Sequence, residues 1–106
     1  MSNYLLIYTG GNPPASEAEG AAVMQAWIGW FTRLGPAVVD GGNPTAPMAK
    51  HIGSDGKVSD GPIGAMCTGY SVLKADSYAK ALEMAGECPH LGAGGQVTVY
   101  ETVNVM

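Results

Sequence analysis

Charged side chains are scarce in this sequence, and basic ones are the scarcest. Only 13% of the 106 residues are Asp, Glu, Lys or Arg, and five basic residues stand against nine acidic ones, for a formal net charge of −4. A protein that binds nucleic acid or an anionic membrane needs a basic surface that neutralises phosphates. The composition therefore argues against nucleic acid and membranes as partners.

Cysteine and long apolar runs are also in short supply. Two cysteines cannot build a disulfide scaffold. The longest apolar stretch, Ala21–Phe31, is interrupted by Gln25 and is too short to cross a bilayer. The first residues lack the basic start and the small-residue cleavage site of a signal peptide. We therefore expect one cytoplasmic domain over residues 1–106.

Metal and cofactor motifs are missing too. The four strongest potential metal ligands are scattered without the spacing of a ligand set: His51, Cys67, Cys88 and His90. The phosphate-loop pattern fails around Gly56, and the glycines at 92–95 lack the last glycine of the dinucleotide fingerprint. We expect no metal and no cofactor, and we interpret the cysteines as small hydrophobic residues and His90 as a loop histidine.

Two amphipathic helices are predicted. Ser16 and Glu19 form a capping box that begins a helix over Glu17–Leu34, and the apolar stripe of this helix includes both tryptophans. A second helix, Tyr78–Glu87, begins at an Asp or Ser cap and ends before a proline. Between and around the helices, short apolar or alternating segments bounded by glycine and proline predict strands. These strands are Tyr4–Tyr8, Ala37–Asp40, Thr68–Leu73 and Gln96–Val105, with a hairpin of Ala49–Ile52 and Lys57–Ser59 around an Asp-Gly turn.

The order of the elements predicts an α+β fold. Strand, helix, strand, hairpin, strand, helix, strand is the ferredoxin-like βαββαβ pattern with an extra hairpin, in which an antiparallel sheet carries both helices on one face. In the register that we predict, the helices cover Leu5, Ile7, Val39, Leu73, Val97 and Val99. The opposite face then carries Tyr4, Tyr8, Val38, Asp40, Tyr70 and Tyr100.

A bare sheet face of this kind is an unusually large apolar patch for a monomer. Two-fold homodimers are the commonest assembly, so we expect a second copy of the chain to cover the face, sheet against sheet. Such a dimer would enclose a cavity lined by tyrosine hydroxyls, suited to a small-molecule ligand. Tyr4, Tyr8, Asp60 and Tyr100 are the predicted lining residues.

Asp40 is the first candidate for acid–base chemistry. It ends an apolar strand and points towards the tyrosine face, where partial burial makes a carboxylate a better base. The alternative is that Asp40 only begins a turn and accepts backbone hydrogen bonds. His51 is a candidate partner, since histidine exchanges protons near neutral pH, although a surface histidine on an edge strand is the plainer interpretation. Tyr70 could donate a hydrogen bond to a bound oxygen atom or simply pack, and Asp60 could lie at the cavity mouth or only form its Asp-Gly-Pro turn.

Several short segments, in this order along nearly the whole chain, resemble the YCII-related proteins of the DGPF type. They are Val39-Asp40-Gly41-Gly42, Asp60-Gly61-Pro62, Gly69-Tyr70, Ala81-Leu82-Glu83, Cys88-Pro89 and the strand Val97–Val105. Ile63 stands where the tetrapeptide that names the type has phenylalanine. The resemblance implies a ferredoxin-like dimeric α+β barrel.

The resemblance implies less about activity. A related branch includes a dehydrochlorinase that acts on a chlorinated hydroxyquinol, and a His–Asp pair has been proposed as the active site of the family, with the histidine in the first helical region. Glu17–Leu34 contains no histidine here, so that pair does not carry over, and His51 would have to supply it. Other members accompany sigma factors, which implies a regulatory role.

Two functions are therefore predicted. The first is a cofactor-independent lyase or isomerase that acts on a small aromatic or hydroxylated molecule, with Asp40 as base, His51 as its partner and Tyr70 as an oxygen-binding donor. The second is a non-catalytic dimer that binds a small ligand or a regulatory partner, which the scarcity of acid–base residues favours.

Overall fold

A four-stranded antiparallel sheet forms the centre of the computed structural model, which describes residues 1–105. The strands of the sheet are β1 (Ser2–Gly10), β2 (Val38–Asp40), β5 (Cys67–Ala75) and β6 (Gly95–Glu101), in the order β2-β5-β1-β6. The helices are α1 (Glu17–Leu34), α2 (Tyr78–Ala85) and the short α3 (Pro89–Gly92). β3 (Lys50–Ile52) and β4 (Val58–Asp60) pair with each other as a separate hairpin. The predicted ferredoxin-like α+β fold with an extra hairpin is confirmed.

The long helix α1 begins and ends where its sequence signals predict. The Ser16 hydroxyl accepts a hydrogen bond from the Glu19 backbone N–H at 3.1 Å, so it caps the helix. At the other end, Gly35 adopts φ 57°, a conformation that glycine tolerates best. The indole of Trp30, which is fully buried, donates to the carbonyl of Met84 at 3.2 Å and links α1 to α2.

The core lies between one face of the sheet and the helices. Its buried members come from β1, β5 and β6, from α1 and α2, and from the turn before α3: Tyr4, Leu6, Tyr8, Trp30, Leu73, Ala75, Ala81, Ala85, Cys88 and Val99. The predicted inward direction of Leu73, Val97 and Val99 is confirmed, since the first and last are buried and Val97 packs against this cluster.

The predicted orientation of β1 is wrong. Tyr4 and Tyr8 point towards the helices, where they pack against the rings of Tyr78 and Trp27 at centroid distances of 5.8 and 5.3 Å. Leu5 and Ile7 therefore face the other way. The run Tyr4–Tyr8 is apolar at every position, so its pattern does not distinguish the two faces, and a shift of one residue exchanges them.

Two smaller differences have similar causes. Val38 packs against the core and Val39 is exposed, the reverse of the prediction, and a register irregularity then pairs Asp40 with Val72. β6 ends at Glu101, and the alternating residues beyond it, Val103 and Val105, are exposed. Alternation of apolar residues predicts a strand only where a neighbouring strand continues alongside.

The sheet face opposite the helices is open in the single chain. Strand alternation and register place on it a mixture of aliphatic and tyrosine side chains, from β1, β5 and β6: Leu5, Ile7, Tyr70, Val72 and Tyr100. We call these five residues the open face. Most of them are half-buried, and Tyr100 is 54% exposed.

Candidate functional site

A cavity of about 670 Å³ lies at the end of the sheet where β1 leaves for α1. It is bounded by the loop 10–14, one side of α1, the loop 41–44, the first half of β5 and His90. Glycine is required where the second loop meets β5. Gly42 has φ +77°, and a Cβ atom there would lie only 1.7 Å from the Tyr70 carbonyl oxygen.

Aromatic rings form one wall of the cavity. Trp27 meets Tyr8 edge-on and lies 5.8 Å from Phe31, measured between ring centroids. Both Trp27 and Phe31 project from α1 at a spacing of four residues, which places them on one side of the helix. This wall offers a flat, apolar surface of the kind that binds another ring.

A buried hydrogen-bond chain fixes the floor of the cavity. The Tyr8 hydroxyl donates to Ser71 Oγ at 2.8 Å, and Ser71 Oγ donates to the Gly41 carbonyl at 2.8 Å. Ser71 is fully buried and Tyr8 is 5% exposed. Burial raises the pKa of Tyr8 to about 12, against the opposing effect of the bond to Ser71. Tyr8 is therefore a neutral phenol over the physiological pH range.

His90 is the one histidine in the cavity wall. Its imidazole ring lies between the backbones of Gly11 and Gly95, where Cβ atoms would come within 2.8 and 2.1 Å of ring atoms. Nε2 lies 2.8 Å from the Thr9 carbonyl oxygen. A carbonyl only accepts hydrogen bonds, so Nε2 carries the hydrogen, and in the neutral ring Nδ1 keeps a lone pair.

The Nδ1 atom of His90 is available to a ligand. Among residues 1–105 it has no hydrogen-bond partner, and no side-chain nitrogen or oxygen there is both enclosed by protein and unpaired. His90 was interpreted from sequence as a loop histidine. The segment Cys88-Pro89-His90 does carry a signal for a fixed histidine. A proline at the first position of a helical turn has a restricted backbone angle, so the backbone of the next residue is held in one conformation.

The structure does not bring Asp40 or His51 to this cavity. Asp40 Oδ1 accepts the Gly42 backbone N–H at 2.8 Å and shapes the turn after β2. His51 Nδ1 contacts the Gly61 carbonyl at 2.9 Å within the hairpin. Asp60 pairs with Lys50 at 2.7 Å, and its side chain is 91% exposed. The catalytic roles of Asp40 and His51, and the place of Asp60 at a cavity mouth, stay predictions.

The tyrosines are divided between the two sides of the sheet. Tyr8 lines the cavity from the helix side of the sheet. Tyr70 belongs to the open face by strand alternation and also borders the cavity from β5. Tyr4 is buried below α2, and Tyr100 lies on the open face. Neither of these two belongs to the cavity wall. Whether the open face lines a second cavity between two copies stays a prediction.

The buried cysteine and the other potential metal ligands do not add a reactive group to the cavity. Burial raises the pKa of the Cys88 thiol, so Cys88 is a protonated core residue. Within the described range, no three His, Cys, Asp or Glu residues lie close enough to hold a metal ion.

None of the helices in residues 1–105 is long and apolar enough to cross a membrane.

Comparison with known proteins gives a likeness in structure and none in sequence. No protein-family model and no curated protein sequence matches the chain. A similar solved structure is that of 5-chloro-2-hydroxyhydroquinone dehydrochlorinase from Burkholderia phenoliruptrix AC1100, in complex with 2,5-dihydroxybenzoquinone. The similarity covers 94% of this chain and 93% of that chain, with a TM-score of 0.54 and 19% sequence identity. It establishes a shared ferredoxin-like α+β fold.

Proposed function

We propose that this protein is a cofactor-independent lyase or isomerase that acts on a small hydroxylated aromatic molecule bound in the cavity. The observation that carries the proposal is His90, whose hydrogen bond to Thr9 leaves Nδ1 as an acceptor beside the aromatic wall. A general base must lie within hydrogen-bond reach of the proton that it removes, and histidine is the side chain that most often does this work. The similar structure, a dehydrochlorinase holding a dihydroxybenzoquinone, supports the substrate class.

The chemistry follows from the position of His90. A ring hydroxyl directed at Nδ1 gives up its proton, and the O–H electron pair becomes the second bond of a carbonyl group. The displaced ring electron pair takes a proton at a ring carbon, which is isomerisation. Where that carbon carries a halide, a second ring hydroxyl then loses its proton and its electron pair, passed through the ring, expels the halide, which is elimination of HX with a quinone as product. Both outcomes balance without an oxidant or a reductant. The base is preorganised, because the hydrogen bond to the Thr9 carbonyl orients the imidazole ring and fixes its tautomer before the substrate binds.

The open face supports a homodimer. Leu5, Ile7 and Val72 form its apolar centre, with Tyr70 and Tyr100 beside them. An apolar sheet face is stabilised when a second copy covers it, and a two-fold axis lets the same residues serve both copies. This arrangement, and a relationship to the YCII-related proteins of the DGPF type, are part of the proposal.

The test is turnover of halogenated and unhalogenated hydroquinols by the metal-free, purified protein, followed by ultraviolet absorbance and halide release. We expect His90→Gln to lower turnover by about 10²-fold or more, the usual range for a general base, while ligand still binds. Retained turnover in His90→Gln would contradict the proposal. Loss of turnover in His51→Gln instead would favour the pair predicted from the sequence, with Asp40 as the base and His51 as its partner. Binding without turnover of any compound would favour a non-catalytic ligand-binding or regulatory module.

A further inference from the structure

We infer that the cavity selects uncharged hydroxylated aromatics and rejects the same rings when they carry a carboxylate or a phosphate. This inference rests on the proposed function, because it describes the ligand of the same site. It narrows the substrate class from hydroxylated aromatics in general to neutral molecules that bring hydrogen-bond donors to the protein.

With His90 in the neutral form that a base requires, the cavity has no charge that could balance an anion. None of its described lining residues is Lys, Arg, Asp or Glu. Two of the five basic residues of the chain form ion pairs elsewhere, Lys50 with Asp60 on the hairpin and Lys80 with Glu83 on α2. An anion that leaves water for an apolar wall loses its hydration, and here it would gain no ion pair in return.

Three hydroxyl oxygens and one imidazole nitrogen of the cavity wall can only accept a further hydrogen bond. The hydroxyl hydrogens of Tyr8 and Ser71 are given to Ser71 and Gly41, and that of Thr68 goes to the Tyr8 carbonyl at 3.2 Å. His90 Nδ1 accepts in the tautomer that Thr9 fixes. A ligand carboxylate can only accept hydrogen bonds, so it cannot bond to these four atoms. A ligand hydroxyl can donate a hydrogen bond to any of them.

Donors remain as well: the Trp27 indole N–H and the Tyr70 hydroxyl, which have no hydrogen-bond partner among residues 1–105, and two side-chain amides. Asn12 Nδ2 gives one of its hydrogens to the Ala93 carbonyl at 3.3 Å, and Asn43 also lines the cavity. Both side chains are neutral, so they can orient a ring oxygen without compensating a full negative charge. The volume of about 670 Å³ falls within the range of pockets that hold drug-sized ligands, so substituted and two-ring molecules belong to the class.

The test compares three ligands that share one ring: 2,5-dihydroxybenzoate, its methyl ester and its amide. Trp27 in the cavity wall reports binding by fluorescence quenching, while Trp30, which is fully buried, supplies a constant background. We expect the ester and the amide to bind at least tenfold more tightly than the carboxylate. Equal or tighter binding of the carboxylate would overturn the inference and leave the proposed function standing. If no ligand quenches, the proposed function fails and this inference fails with it.

A charge-insertion variant confirms where the ligands bind. Met24 lines the cavity from α1 and is 61% exposed, so Met24→Lys introduces a cation without opening the core. We expect the ester-to-carboxylate affinity ratio to fall at least threefold in this variant. An unchanged ratio would place binding outside the cavity and overturn the inference. Trp27→Phe should remove the ligand-dependent quenching, and quenching that persists would have the same meaning.

Discussion

The Thr9 carbonyl oxygen at the end of β1 lies 2.8 Å from His90 Nε2, and this contact leaves Nδ1 as the imidazole nitrogen without a hydrogen-bond partner among residues 1–105. The two residues are 81 positions apart, so only the completed fold brings them together. β1 therefore both pairs in the middle of the sheet and orients the candidate base. A change that displaces the His90 ring should affect the cavity without unfolding the sheet.

Gly95→Ala tests that expectation. Its Cβ atom would lie 2.1 Å from His90 Nε2, so the ring must move out of its slot. We expect a loss of stability of about 1–3 kcal/mol, typical of overpacking, together with loss of turnover. Denaturant unfolding measures the first effect. Gly92→Ala is the matched control, since its Cβ would meet open space, and it should change stability by less than about 0.5 kcal/mol. Equal effects of both alanines would contradict the packing of His90 against Gly95.

Ser71→Ala should destabilise the protein by about 1–3 kcal/mol, because it leaves the buried Tyr8 hydroxyl without its acceptor and the Gly41 carbonyl without its donor. The double variant with Tyr8→Phe removes one of the two orphaned groups. The double variant should therefore lose less free energy of unfolding than the two single variants lose together, as measured by a double-mutant cycle. Strict additivity would show that the two hydroxyls do not interact.

Alkaline stability should depend on Tyr8. Its pKa is about 12 in the folded protein and near 10 when unfolded, so the unfolded state loses the proton first as pH rises. Stability is complete below about pH 10 and falls between about pH 10 and 12, by roughly 3 kcal/mol for a two-unit shift. Tyr8→Phe should flatten this decline in urea unfolding curves. Some decline should persist, because burial also raises the pKa of Tyr4 and of Cys88. A decline as steep as in the unmodified protein would contradict the prediction.

Ile7→Lys tests the proposed dimer. Ile7 lies at the centre of the open face, where a lysine stem is tolerated in a single chain but a second copy would bury its charge. We expect light scattering after size exclusion to show a dimer for the unmodified chain and a monomer for this variant. Val103→Lys, at an apolar position that is 77% exposed beyond β6, should remain dimeric. A monomer for the unmodified chain would contradict the proposed homodimer.

The fold was predictable from local signals, and the cavity was not. The capping box at Ser16 and the stop at Gly35 are local features, and they placed α1 correctly. The cavity joins residues far apart in the chain, such as Gly11 with His90 and Gly42 with Tyr70. No local pattern encodes these approaches, so the sequence points instead to Asp40 and His51, whose side chains bond within the turn after β2 and within the hairpin and whose catalytic roles stay predictions.

The orientation of β1 shows a second limit. The predicted register turns Leu5 and Ile7 towards the helices, and strand alternation then places Tyr4 and Tyr8 on the other face. Within the core, the Tyr8 hydroxyl finds Ser71, and its ring packs against Trp27. The hydroxyl of a buried tyrosine needs a hydrogen-bond partner, and for Tyr8 that partner, Ser71, is 63 positions away in the sequence.

The most direct measurement is the imidazole nitrogen NMR spectrum of the two histidines, with and without the methyl ester of 2,5-dihydroxybenzoate. It should be recorded near pH 8.5, above the ordinary histidine pKa of about 6.5. We predict that His90 is the Nε2–H tautomer, and that its Nδ1 signal shifts on ligand addition while the signals of His51 stay in place. An Nδ1–H tautomer for His90, or a shift confined to His51, would contradict the assignment of His90 as the base.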